Sequence, residues 1–201
     1  MKKIMFNDRY GLTQAVLEGR KTMTRRIVPI DLYNQTDWKA VAEGDREAVV
    51  DGEGYYHDIR NCGKYRVGEE VAIAQSYETL ANSRYCSELG MMDSPTTFKK
   101  EFCGNGWGNK MFVKAEYMPH RIRITNIKME RLQDISEEDC LREGIKKMEE
   151  GIPYRFDEDN GKIHLSADLR MLFADLIDRI SGRGTWERNP WVFVYEFELV
   201  K

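Results

Sequence analysis

Residues 120–132 read HRIRITNIKMERL, and the parity of their apolar positions decides the fold. Ile122 and Ile124 share one parity, while Ile127 and Met129 share the other. Side chains on a strand alternate between its two faces. A strand that keeps all four residues on one face must gain a residue near Thr125–Asn126. A β-bulge supplies it, and bulges are common where small barrels bend.

The flanking sequence fits that picture. Downstream, NPWVFVYEFELV (189–200) alternates Trp191, Phe193, Tyr195, Phe197 and Leu199 inward. Val192 and Val194 make its first half apolar on both faces, which predicts a central strand. SADLRMLFADLIDRISG (166–182) carries Leu169, Leu172, Phe173, Leu176, Ile177 and Ile180 on one helical stripe, ended by Gly182. DISEEDCLREGIKKMEE (134–150) reads as a helix, with Ser136 and Asp139 resembling a capping box. Residues 151–165 read as a polar connection. Upstream, KKIMF (2–6), GEEVAIAQSY (68–77) and KMFVKAEY (110–117) are strand candidates, with Val71, Ile73 and Gln75 sharing a face. NDRYGLTQAVLEG (7–19) reads as a helix, capped by Asn7 or Asp8 and stopped at Gly19.

This order is not the regular alternation of a doubly wound fold. It predicts one α+β domain over residues 1–201: a small, mostly antiparallel β-barrel with flanking helices. Two polar, glycine-containing stretches, roughly 31–64 and 82–109, interrupt it as long loop insertions.

Composition narrows the function classes. The 201 residues, 41% apolar and 32% charged, suit a folded domain with a full core. The net charge of −3 means that an anionic partner must be drawn to a local patch. No apolar run approaches the roughly 20 residues needed to span a bilayer. The start, MKKIMFNDRYG, lacks the apolar middle of a signal peptide, so the expected location is cytoplasmic. Cys62, Cys86, Cys103 and Cys140 form no CxxC pair. His57, Cys62, Cys86 and Cys103 all lie in loop-like sequence, but metal-ligand spacing is usually tighter. Free thiols and no metal or other cofactor are expected.

The local patch is EGRKTMTRR (18–26), four cations and two threonines after a helix end. Cations there could compensate the helix dipole, bind phosphate or serve chemistry.

With these segments in view, the chain resembles the ASCH-domain family of the PUA-like superfamily, in its phage or prophage form. The resemblance covers nearly the whole chain in outline. It is most specific in LEGRKTMTRRI, YRVGEEVAIAQSY, RLQDISEEDCLREGI and FADLIDRISGRGTWERNPWVFVYEFE. It implies a cleft beside a barrel that binds RNA or a modified nucleobase or nucleoside. Some small members are amidohydrolases that deacylate N4-acetylcytidine without a metal. Their G-x-K-T-x-T segment matches Lys21 and Thr24, and their catalytic glutamate matches Glu143. Arg20, Arg25, Arg26, Gln75 and Trp107 then become ligand-binding candidates, Trp107 by stacking on a base. One departure stands out. Members of this type often read WVRET where this chain has AIAQSY, so Ala74–Gln75 replaces an Arg–Glu pair. The usual Gly–Asp turn is Gly68–Glu69 here.

Two functions follow from different classes: an RNA- or nucleoside-binding module, and an N4-acylcytidine amidohydrolase using Lys21, Thr24 and Glu143. The chemistry requires a neutral lysine, whereas an ordinary lysine, with a pKa of about 10.4, is protonated at neutral pH. Burial and neighbouring arginines would depress that pKa, and Glu143 would raise it. For every cation here the bland reading is a solvated surface patch. For Thr24 it is a structural strand residue, and for Glu143 a solvated helix carboxylate. A role in binding a protein partner leaves no sequence trace.

Overall fold

The computed structural model describes residues 1–81 and 104–200. Among the described residues, five strands form one mixed sheet: β1 (Lys3–Ile4), β5 (Glu70–Ile73), β6 (Arg121–Arg131), β10 (Trp191–Val200) and β2 (Met23–Ile27), in that spatial order. Only β1 and β5 run parallel; the other ladders are antiparallel. The chain is α+β, and no ladder joins the edge strands β1 and β2. Between β2 and the end of β1 runs a side-chain bond, from Arg26 Nη2 to the Met5 carbonyl at 2.6 Å.

The deciding stretch behaves as its parity requires. Glu196 pairs with Asn126 and Phe197 with Ile124, so Thr125 is the extra residue of a bulge. Ile122, Ile124 and Ile127 are all buried. β10 lies between β6 and β2, and Val192, Phe193, Val194 and Tyr195 are buried on both of its faces.

The helices differ from expectation in length. Gly11, at φ +63°, splits the first helix into a 3-10 turn (Asp8–Tyr10) and α1 (Leu12–Leu17). Asn7 caps the turn. Residues 134–150 give only a short helix, Glu137–Arg142, capped by Ser136. Gly144, at φ +110°, turns the chain out of it. A Cβ on Gly144 would crowd Leu12, so the same glycine lets α1 pack closely. The long stripe forms Leu169–Ser181, capped by Asp168.

Three loop or strand assignments change. The stretch 110–117 is not a strand but two 3-10 turns, the first capped by Asn109. Residues 151–165 are not a bare connection: β8 (Tyr154–Asp157) and β9 (Ile163–Ser166) pair and join β7 (Lys146–Lys147) in a second sheet. The insertion at 31–64 folds into α2 (Ile30–Asn34), α3 (Trp38–Ala42) and the hairpin β3 (Glu47–Val50)–β4 (Tyr56–Asp58). Trp38 of the insertion stacks on Trp191 at 4.9 Å, and Val49 and Ile59 enter the main core. Helix α4 (Tyr77–Ala81) follows β5. The second insertion lies mostly outside the described residues. In chain order the last three helices are α5 (Glu137–Arg142), α6 (Leu169–Ser181) and α7 (Thr185–Arg188). No described helix is long and apolar enough to cross a membrane.

Candidate functional site

The cationic run leaves α1 but docks on the end of α5. Thr22 N donates to the Arg142 carbonyl (3.0 Å), Lys21 Nζ to the Glu143 carbonyl (2.8 Å) and Arg20 Nη1 to the Gly144 carbonyl (3.3 Å). Carbonyls at a helix end have no partner within the helix, so the run satisfies two of them and also the Gly144 carbonyl just beyond. The dipole compensation expected at α1 therefore occurs at α5. This docking fixes Lys21 against Glu143.

Lys21, Thr24, Arg25, Arg26 and Glu143 line one hollow of about 560 Å³. Phe6, Asp8 and Lys110 form another side of it, and Ile177 and Ile180 of α6 complete it. Lys21 and Glu143 are 2% and 6% exposed, far from a solvated patch. Lys21 Nζ lies 2.5 Å from Glu143 Oε2, and the Phe6 ring sits 5.9 Å from the amine. Burial pushes the Lys21 pKa down, and Arg26 and Arg25 add to this; the Glu143 carboxylate opposes it but does not prevail. Thr24 sits on β2 opposite Tyr195 and is 5% exposed. Among the described residues its hydroxyl makes no hydrogen bond, so the Thr24–Lys21 contact is not assembled at rest.

Arg25 is buried on the other face of β2. Its guanidinium bonds Glu143 Oε1 (3.1 Å), Glu130 Oε1 (2.6 Å) and Asp139 Oδ2 (3.0 Å). Lys128 bridges Glu130 and Asp139, each at 3.2 Å, and Arg142 links Asp139 to Glu196. Burial works against charge on Asp139, yet Arg25 and Lys128 hold its pKa below the usual range. Arg25 is thus the centre of a neutralised network and has no donor to spare for a phosphate.

The other candidates separate. Arg20 pairs with Glu18 at 2.7 Å and lines a different depression, with Arg142 and Lys146. Gln75 lies just beyond β5; it is buried, its Oε1 has no partner among the described residues, and it does not line this hollow. Trp107 donates from Nε1 to Glu78 (3.1 Å) and packs on a small second core with Tyr77 and Leu80, so it offers no stacking face to the hollow. Arg26 differs from its neighbours: no carboxylate pairs with it among the described residues.

Lys110 and Asp8 are not among the site candidates read from the sequence. Lys110 Nζ bonds Asp8 Oδ2 at 2.8 Å and also the Phe6 carbonyl. They are 102 positions apart, and a lone lysine in a glycine-rich stretch gives no local signal. Among the described residues no three His, Cys, Asp or Glu side chains are grouped to hold a metal. His57 bonds Asp51 at 2.8 Å, and Cys86 and Cys103 lie outside the described residues. Burial pushes the Cys140 thiol up to about 12.

No family model, curated protein or solved structure matches this chain.

Proposed function

We propose that the chain is an ASCH-type protein of the PUA-like class, in which the Arg26–Met5 bond stands where a ladder would close the barrel. Its hollow binds an acylated nucleoside, of the N4-acetylcytidine type, and hydrolyses the amide. One observation carries this reading: Lys21, Thr24 and Glu143, from a loop, a strand and a helix end, face one hollow, with the amine buried and its pKa depressed. Such a shift in a cleft is what a general base needs.

In the first step Thr24 Oγ attacks the acyl carbon and its proton passes to Lys21 Nζ. The bond from that carbon to the exocyclic N4 nitrogen breaks, and N4 leaves as the amino group of cytidine with a proton returned by Lys21. Water then attacks the Thr24 ester, giving up a proton to Lys21, and Thr24 leaves with it. Cytidine and a carboxylic acid are released. Glu143 takes the lysine proton when the amine must act as base, and Arg25 holds the opposite carboxylate oxygen.

RNA binding through the whole cationic run is less well supported, because Arg20, Lys21 and Arg25 each carry a carboxylate partner. Binding of a single nucleoside needs only Arg26 and the hollow. The reading is tested by incubating the purified protein with N4-acetylcytidine and following cytidine release. Thr24→Val, which keeps the shape and removes the nucleophile, is expected to release none; release at the wild-type rate would exclude Thr24 chemistry.

A further inference from the structure

A second cavity of about 230 Å³ adjoins the first and shares Met5, Arg26 and Ile27 with it. Its remaining wall has a different character. Tyr65, Phe193 and Tyr195 form an aromatic side, with Tyr65 edge-on to Tyr195 at 5.2 Å and Phe193 stacked on Tyr195 at 5.8 Å. Cys62 and Gly63, at the tail of the first insertion, line it too.

The wall is tightly fixed. Lys64 N donates to Tyr195 Oη at 3.1 Å, and Tyr65 Oη donates to the Lys3 carbonyl at 3.0 Å. A Cβ on Gly63 would collide with the Tyr195 hydroxyl and crowd Phe193. A glycine there lets the insertion close on the aromatic side. Arg26 stands on the shared boundary. One of its nitrogens is tied to the Met5 carbonyl; its other donors have no partner among the described residues.

We infer that this aromatic cavity is a second compartment of the same site, which takes the planar ring of the ligand while its acyl group lies in the Lys21–Thr24 hollow. Arg26 meets an oxygen of the ligand between the two compartments. This rests on the proposed hydrolysis of an acylated nucleoside and adds what selects the substrate: amides whose nitrogen leaves on a flat ring. Apolar walls with a few fixed donors are how small-ligand sites combine affinity with orientation. The first insertion is then part of the binding site rather than a decoration on the fold.

The test is calorimetric titration with cytidine, which carries the ring and no amide, so binding is read apart from hydrolysis. Wild type and Arg20→Ala, which lines a different depression, are expected to bind alike, and Cys62→Phe, which fills the compartment, to bind at least about tenfold more weakly. Equal binding by a folded Cys62→Phe, or no binding to wild type, would overturn the compartment. Binding that Cys62→Phe weakens, without turnover of N4-acetylcytidine by wild type, would retain the compartment and reject the chemistry. Alkylation of Cys62 in the wild-type protein supplies a second measurement that needs no variant to fold. Burial raises the thiol pKa, so the reaction is run at alkaline pH and followed on the Cys62 peptide by mass spectrometry. Saturating cytidine is expected to slow it severalfold; an unchanged rate contradicts the proposal.

Discussion

Lys21 meets Glu143 twice: its amine lies 2.5 Å from the Oε2 carboxylate oxygen and 2.8 Å from the backbone carbonyl of the same residue. The carboxylate is shared with Arg25, so this glutamate links the lysine of the hollow to the charged network around Arg25. That arrangement has consequences for stability as well as for chemistry.

Glu143→Leu leaves the buried Lys21 without its carboxylate. Breaking a buried pair costs about 3–5 kcal/mol when the remaining charge persists. Lysine can escape by losing its proton, so the loss is expected to be largest at mildly acidic pH and to shrink as pH rises. Urea midpoints across pH 6–10 measure this. A pH-independent loss would contradict the pairing.

Arg25→Ala leaves Glu130, Asp139 and Glu143 facing one another without their shared cation. The expected destabilisation is again about 3–5 kcal/mol. Arg20→Ala removes a half-exposed pair with Glu18 and a 3.3 Å bond to the Gly144 carbonyl, and should cost only about 1 kcal/mol. Thermal or urea unfolding of the two variants side by side checks the difference. Equal effects would show that the burial of Arg25 contributes nothing.

Glu158 predicts an acid limit to stability. His164 Nε2 at 2.7 Å, Arg9 and Arg179 surround it, and the first two pull its pKa down to about 2. A carboxyl that binds its proton less readily in the folded state stabilises the fold above its unfolded pKa. That contribution is fully present above about 4.5 and is lost as pH falls toward 2. Urea midpoints between pH 5 and 2 should fall less steeply in Glu158→Gln than in wild type. Parallel slopes would contradict this assignment.

Deleting Thr125 removes the bulge residue between Phe197–Ile124 and Glu196–Asn126. A one-residue slip turns every side chain beyond it to the opposite face. The deletion should abolish cooperative unfolding, whereas Thr125→Ser should leave the midpoint within about 0.5 kcal/mol of wild type. A folded deletion variant would show that the apolar parity of β6 does not set the register.

The features legible in the sequence were those written in local periodicity. The bulge, the two-faced strand β10 and the stripe of α6 each need only neighbouring residues to be read. What escaped depended on distant partners. The sheet β7–β8–β9 is built from polar alternation that reads as loop, and the 31–64 insertion packs on the main sheet through Trp38 on Trp191. At the site, Lys21, Thr24 and Glu143, singled out together in the sequence, line one hollow. Composition could not tell that Arg25 is spent on three carboxylates, that Trp107 turns to a second core, or that Arg20 faces elsewhere. Those outcomes are decided by which carboxylates and which apolar surfaces the fold brings near.

The central claim is that Lys21 is the base of an amide hydrolysis in this hollow. The most direct measurement is the rate of cytidine release from N4-acetylcytidine by wild type and by Lys21→Ala, both shown to be folded, with a chelator present. Wild type should turn over, with a rate that rises with pH and levels off below the ordinary lysine range of about 10.4. Lys21→Ala should lose at least about a thousandfold. Wild-type-like turnover in Lys21→Ala, or no turnover by wild type under any of these conditions, would contradict the account.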